Sequence, residues 1–190
     1  MARVIPSEFT AILKACVGDT ADIVRVTGTV PTPEGPRVRF EVLGSPDPDV
    51  TKLTVEDVRD LAEAASRYLA VRWRGSTEPR PVPEQSWKAL MSLFPRIYDA
   101  PPEIGDGWHW LLVATAEWLS EGGLPPGYST RQVKEKFGGL RFYHQGIPST
   151  FRIARAVEQL SYGVCETCGA PGLIRRGSWY RTACDEHAKR

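Results

Sequence analysis

Hydrophobic and polar positions divide the first part of the chain into helical and strand-like segments. Over the first 17 residues, apolar side chains recur three and four positions apart, which predicts an amphipathic helix. Gly18 follows at the position where helices favour a left-handed glycine. Residues 37–42 then alternate between polar and apolar, the pattern of a half-buried strand, and residues 23–30 predict its hairpin partner.

A capping signal opens the next helix. Thr54 precedes an apolar stripe and Asp57 stands three positions later, so the pair resembles a capping box. The stripe continues to about Arg72 and completes a small α-β-β-α domain over residues 1–75. Residues 76–86 contain three closely spaced prolines, which remove amide donors and restrict the backbone, and this segment is predicted to be a linker.

The second half of the chain combines helices with a hairpin. Apolar spacing predicts a short helix at 87–94, a second from about Asp106 to the glycines at 122–123, and a third at 149–163. Residues 87–190 are predicted to form one helix and hairpin domain. The predicted fold class is therefore α+β, with a zinc finger at the C-terminal end.

The hairpin is predicted around Gly138-Gly139, between the strand-like segments 133–137 and 140–144. A two-residue glycine loop supplies the positive φ values that such a tight turn requires. Alternation places a hydrophobic set on one face: Val133, Phe137, Leu140 and Phe142. The other face carries a second set, in which Lys136 is expected to lie opposite Arg141: Lys134, Lys136, Arg141 and Tyr143. Two interpretations stay open, a solvated surface and a contact for phosphate or an acidic partner.

The strongest chemical signal lies near the C-terminus. Cys165 and Cys168 form a CxxC pair, and Cys184 and His187 form a CxxH pair after fifteen intervening residues. Three thiolates and one imidazole are a ligand set for tetrahedral Zn²⁺. A short hairpin is predicted between the pairs, so residues 165–187 predict a treble-clef-like zinc finger. Because four protein ligands leave no position for water, the predicted Zn²⁺ is structural.

Two classes of zinc-linked enzyme do not fit these residues. Deaminases require an H-x-E sequence and a proline before the CxxC pair, but no histidine here precedes such a glutamate and Val164 takes the place of the proline. Nucleases with a ββα-metal module require a histidine near the hairpin, and residues 169–183 contain none. His109, Glu117 and His144 are explained better as helix-surface or core positions. The chain is therefore predicted not to be an enzyme.

Charge is distributed unevenly, although the net charge is only +1. Residues 1–130 contain 13 basic and 18 acidic residues, whereas residues 131–190 contain 11 basic and 5 acidic ones. This asymmetry predicts either a basic surface for an acidic partner such as nucleic acid or attraction between the two parts of the molecule. No uncharged run is long enough for a membrane span and no secretory signal is recognisable, so we expect a cytoplasmic protein without membrane contact.

Several motifs occur in a distinctive order within residues 87–190. They are Ser92-Leu93-Phe94-Pro95, Ile104-Gly105-Asp106-Gly107-Trp108, Gln132-Val133-Lys134-Glu135-Lys136-Phe137-Gly138-Gly139-Leu140-Arg141-Phe142-Tyr143, Cys165-Glu166-Thr167-Cys168-Gly169 and Trp179-Tyr180-Arg181-Thr182-Ala183-Cys184-Asp185-Glu186-His187. This order resembles that of a group of uncharacterised proteins found in bacteria and their phages. The resemblance implies a bacterial or phage context and no particular activity.

Two functions of different class follow from these patterns. The first is a non-enzymatic zinc-binding protein that presents a basic C-terminal surface to nucleic acid, because Lys and Arg neutralise phosphates. Its candidate contacts are Lys134, Lys136, Arg141 and Tyr143 on the hairpin and Arg175, Arg176 and Arg181 around the zinc finger. The alternative is a phage or immunity-type protein that binds and modulates a host or toxin protein, for which the acidic N-terminal half offers a docking face.

Overall fold

The protein combines helices with small antiparallel hairpins, as seen in a computed structural model that describes residues 4–189. The α-helices of this part of the chain are α1 (Val4–Val17), α2 (Val55–Arg72), α3 (Ser86–Leu93), α4 (His109–Ser120) and α5 (Pro148–Ser161). The strands pair as β1 (Val24–Thr32) with β2 (Gly35–Val42), β3 (Ser129–Lys136) with β4 (Gly139–Gln145), and β5 (Leu173–Arg175) with β6 (Arg181–Ala183). The predicted mixture of helices and hairpins is confirmed.

Local signals in the N-terminal part are confirmed. Gly18 follows α1 at φ +56°, in the left-handed region that favours glycine. The amide of Asp57 donates to the Thr54 hydroxyl at 3.2 Å, and the Thr54 amide donates to the Asp57 carboxylate at 2.8 Å. These two bonds satisfy amides that a helix start leaves without partners, and they define where α2 begins.

Helix α2 lies at the centre of the molecule. It packs against β2 and also against α1, α4 and α5. Four of its 18 residues are alanines, whose small side chains let these elements approach closely, and most of its circumference is buried. Next to the turn of the β1–β2 hairpin, a Cβ on Gly35 would lie 2.0 Å from the carbonyl oxygen of Ala70. The hairpin therefore lies directly on the α2 backbone.

The turn between β3 and β4 lies one residue earlier in the chain than predicted. Lys136 pairs with Gly139, so Phe137 and Gly138 form the two-residue turn, at φ +54° and +75°. Gly139 is required for packing instead, because a Cβ there would lie 2.4 Å from the ring of Tyr162. Phe137, which was predicted on the buried face, lies in the turn and is 64% exposed.

Apart from Phe137, the residues of this hairpin nevertheless keep their predicted faces. A turn displaced by one residue moves each β4 residue two positions along β3, and two positions restore the same face. Lys134 and not Lys136 lies opposite Arg141, so that predicted pairing is wrong. The remaining hydrophobic members stay buried: Val133, Leu140 and Phe142.

One apolar core extends through the molecule. It contains buried side chains of α1, α2, α4 and α5 together with residues of β3 and β4. Both predicted domains contribute to this core, and their division at residues 76–86 stays a prediction. None of the helices within residues 4–189 is long and apolar enough to cross a membrane.

The proline-rich segment contains no helix or strand from residue 76 to residue 85. Arg80 attaches it to α2 and α4. Its amide donates to the end of α2 at 2.8 Å, its carbonyl accepts from the indole of Trp110 at 3.2 Å, and its guanidinium lies 3.7 Å from the centre of that ring system. The segment is thus irregular in structure, as its composition predicts, and is held at one point.

Candidate metal centre

Four potential metal ligands come together near the C-terminus. The sulfurs of Cys165, Cys168 and Cys184 and a ring nitrogen of His187 all lie within 4.8 Å of one another. These are the four residues that the sequence spacing predicted as ligands. The cluster could hold a metal ion.

Backbone hydrogen bonds bend the first pair into a tight turn, which we call the knuckle (residues 164–171). The amide of Cys165 donates to the Ala170 carbonyl at 2.8 Å, and the amide of Gly169 donates to the Cys165 carbonyl at 2.9 Å. Gly169 adopts φ +72°, where a side chain would be strained. Val164 and Pro171 close the knuckle as an antiparallel bridge. Both cysteines therefore lie on one turn of chain.

The β5–β6 hairpin delivers the second pair of ligands. Strand β6 leads directly into Cys184, whose carbonyl accepts from the amides of His187 at 3.1 Å and Ala188 at 2.8 Å. This single helical turn places the imidazole beside the Cys184 sulfur. The amide of Glu166 donates to the β6 backbone at 3.0 Å and connects the knuckle to the hairpin.

The distances between donors agree with a tetrahedral shell. The sulfurs of Cys168 and Cys184 are 3.8 Å apart. Two thiolates bound at about 2.3 Å to one tetrahedral ion stand about 3.8 Å apart. Nδ1 of His187 lies 3.2 Å from the Cys184 sulfur and 3.7 Å from the Cys165 sulfur, so Nδ1 is the nitrogen presented to the cluster.

The cysteines differ in how their surroundings affect ionisation. Burial opposes ionisation of Cys165, but backbone amides of Cys184, Thr167 and Cys168 donate to its sulfur and lower its pKa. Burial, together with the neighbouring sulfurs of Cys165 and Cys184, raises the pKa of Cys168 to about 12. Three thiolates at this spacing repel one another. A divalent ion would offset that repulsion, and its binding would release the thiol protons.

Helix α2 contacts the knuckle through a residue that the sequence did not indicate. The buried hydroxyl of Tyr68 donates to the carbonyl of Gly169, 101 residues later. One turn further along, the buried Arg72 pairs with Glu8 of α1 at 2.7 Å. Periodicity predicted a buried face for α2, but no local pattern could show that this face reaches the candidate metal centre.

A glycine-rich loop before α4 also packs on the knuckle. The amide of Gly107 donates to the Glu166 carbonyl at 2.8 Å, and a Cβ on Gly107 would lie 2.5 Å from the Cys168 nitrogen. A Cβ on Gly105 would lie 2.3 Å from the Glu166 oxygen. The indole of Trp108 donates to the knuckle at 2.8 Å. Only glycine permits this backbone-to-backbone contact.

The predicted partner-binding residues of β3 and β4 share one outer face. Lys134 lies opposite Arg141, and its ammonium is 5.6 Å from the ring of Tyr143. Arg141 donates to the Tyr162 hydroxyl at 2.9 Å. Lys136 is exposed at the end of β3. Like charges directly opposite one another destabilise a strand pair, so the Lys134–Arg141 pair opposes the folding of this hairpin.

The three predicted arginines lie on or beside the hairpin next to the candidate metal centre. Arg175 lies opposite Arg181 across the strands and also pairs with Asp185 at 2.6 Å. Arg176 is exposed. The structure thus brings the seven predicted contact residues to two hairpins. Their binding to a partner stays a prediction.

The acid–base candidates have separate partners. His109 and Ser86 are hydrogen bonded at 2.9 Å and both are buried. Burial and a neighbouring arginine lower the pKa of His109 to about 4. Glu117 forms a two-bond pair with Arg74, and His144 bonds to a threonine of α5. No hydrogen bond joins any two of these three candidates among the described residues.

Comparison with known proteins gives no relative from which a function could be transferred. No protein-family model, curated protein or solved structure matches the chain. The resemblance of residues 87–190 to bacterial and phage proteins stays a prediction. The function is therefore argued from the geometry of the site.

Proposed function

We propose that the cluster binds one structural Zn²⁺ and that residues 165–187 form a treble-clef-like finger. A knuckle, a β-hairpin and a helical turn follow one another in that order, and each end supplies two donors. Four protein donors complete a tetrahedral shell, which supports a stabilising ion over a catalytic one. The two strands of three residues bury little apolar surface, so zinc binding would provide much of the folding free energy of this segment.

Metal analysis tests this first part. Protein purified without chelators is expected to contain one zinc per chain, and Co²⁺ substitution is expected to give the visible spectrum of a tetrahedral Cys3His site. Protein without bound metal that nevertheless keeps a folded β5–β6 hairpin would contradict it.

The function itself is proposed to be non-enzymatic binding of nucleic acid by the basic C-terminal surface. The observation that carries this is a repeated like-charge pair: Lys134 opposite Arg141, and Arg175 opposite Arg181, on hairpins joined by a 2.6 Å hydrogen bond. Like charges directly opposite one another cost a strand pair up to about 1 kcal/mol. In the second pair, Asp185 also contacts Arg175. Phosphates between the cations would remove that cost and release counterions from the nucleic acid.

A salt titration of binding to labelled duplex DNA and RNA tests the charge contact. The logarithm of the association constant should fall linearly with the logarithm of salt concentration. Lys134→Gln should reduce the slope by about 1, whereas Lys52→Gln, an exposed lysine in the N-terminal half, should leave it unchanged. A dissociation constant above about 0.1 mM at low salt, or a slope near zero, would contradict the proposal. A stoichiometric protein partner that survives nuclease treatment would favour the alternative, a host or toxin protein.

A further inference from the structure

Three large, exposed aromatic side chains belong to the two chain segments that meet where the basic hairpins touch. Trp179 is 71% exposed, Phe137 is 64% exposed and Tyr180 is 42% exposed. The backbone of Arg181 lies 3.2 Å from the position of a Cβ built on Gly138, so the two hairpins touch at these residues. Phe137 and Tyr180 directly precede the two residues that form this contact. Exposed apolar groups in one place are characteristic of binding surfaces.

The position of Phe137 is also unfavourable for its residue type. Tight hairpin turns with positive φ at both central residues prefer Asn-Gly or Gly-Gly. Phe137 adopts φ +54° and is mostly exposed, so it is strained and its burial offsets little of that strain. The phenyl ring at this position therefore destabilises the protein when no ligand is bound. Such a residue is expected where the ring contacts a ligand.

Cations lie beside these rings. The ammonium of Lys136 is 5.4 Å from the ring of Phe137, and that of Lys134 is 5.6 Å from the ring of Tyr143, which is also exposed. A surface that alternates rings and cations matches a ligand that offers both flat bases and phosphates. In a duplex the faces of the bases are stacked inside the helix, whereas in a single strand they are accessible.

We propose that Phe137, Trp179 and Tyr180 form a stacking platform for the unpaired bases of single-stranded nucleic acid, whose phosphates contact the neighbouring cations. This inference rests on the proposed nucleic-acid function and specifies the form of nucleic acid. It also assigns a role to three residues that were absent from the predicted contacts.

Fluorescence anisotropy with three labelled probes tests the platform: a thymidine oligonucleotide of about 15 nucleotides, an abasic oligonucleotide of the same length, and the corresponding duplex. The full-length protein should bind the thymidine strand at least about fivefold more tightly than either other probe, because each base–aromatic stack contributes at least that factor. Trp179→Ala should weaken the affinity for the thymidine strand about fivefold or more and leave the affinity for the abasic strand unchanged. Trp87→Ala, an exposed tryptophan on α3, is the matched control.

Phe137→Asn separates stacking from folding. Asparagine suits the turn, so the variant should unfold at the same temperature as the unsubstituted protein or higher, yet bind the thymidine strand less tightly. Equal affinity for all three probes, tighter binding of the duplex, or unchanged binding by Trp179→Ala would overturn the platform while leaving the charge contact intact. Failure to bind any probe would overturn both proposals.

Discussion

A single methyl group at Gly107 is expected to weaken metal binding, although Gly107 is not a ligand. In Gly107→Ala the new Cβ would lie 2.5 Å from the Cys168 nitrogen and the Thr167 carbonyl carbon, and 2.6 Å from the Cys165 oxygen. Comfortable contacts between such atoms are about 3.5–4.0 Å, so the loop or the knuckle must move by about 1 Å. All three atoms belong to the backbone and cannot rotate away.

The expected cost follows from this geometry. Overpacking a close contact costs about 1–3 kcal/mol, and the loss of glycine entropy in the unfolded chain returns about 0.4–1 kcal/mol. A net loss of up to about 2 kcal/mol lowers the unfolding temperature by up to about 8 °C for a chain of this size. If loss of the ion relieves this strain, the same free energy weakens the affinity of the variant for the metal by up to about 30-fold.

Thermal unfolding and competition with a chromophoric zinc chelator measure these two effects. Gly177→Ala is the matched control, because its new Cβ would meet only the Trp179 oxygen, at 4.0 Å, and its φ is not in the left-handed region. The control should keep its metal affinity and should be no less stable. If Gly107→Ala behaves like Gly177→Ala in both assays, the inferred close contact between loop and knuckle is wrong.

Three further predictions concern the buried ion pair, a buried histidine and the ligands. Glu8→Ala leaves the buried guanidinium of Arg72 unpaired and should lower the free energy of unfolding by about 3–5 kcal/mol. Glu41→Ala removes a partner from an exposed pair and should cost less than about 1 kcal/mol. Equal losses of the two variants in urea unfolding would contradict this prediction. Because the pKa of His109 is lowered from 6.5 to about 4, mainly by burial, the unfolded chain binds a proton in this interval and the folded protein does not. The contribution of neutral His109 to the free energy of unfolding should be fully present above pH 6.5, and the free energy should fall by up to about 3 kcal/mol towards pH 4. A His109→Gln variant with the same pH profile would refute the assignment. Cys184→Ser should abolish stoichiometric zinc binding and the hydrogen-exchange protection of β5–β6 while sparing β1–β2; retained zinc and protection would argue against the four-ligand site.

Features that depend on near neighbours could be predicted from the sequence. The spacing of Cys165 and Cys168 places both sulfurs on one turn whatever surrounds it. The capping box at Thr54 is likewise made by bonds that span three residues, and its observed geometry agrees with the prediction. Alternation in β3 and β4 determined which side chains share a face, and this survived an error of one residue in the turn.

Tertiary structure alone decided what covers each of these local elements. Tyr162 occupies the space beside Gly139, so this glycine is needed for packing, and the turn instead contains Phe137, whose ring is exposed. Tyr68 of α2 and the loop at Gly107 reach the knuckle from distant parts of the chain. An apolar pattern specifies that a face is buried but not by what, because hydrophobic attraction has no direction and many arrangements of distant segments would satisfy it. The choice among them depends on close packing of shapes across the core, and that information exists only when the chain is folded.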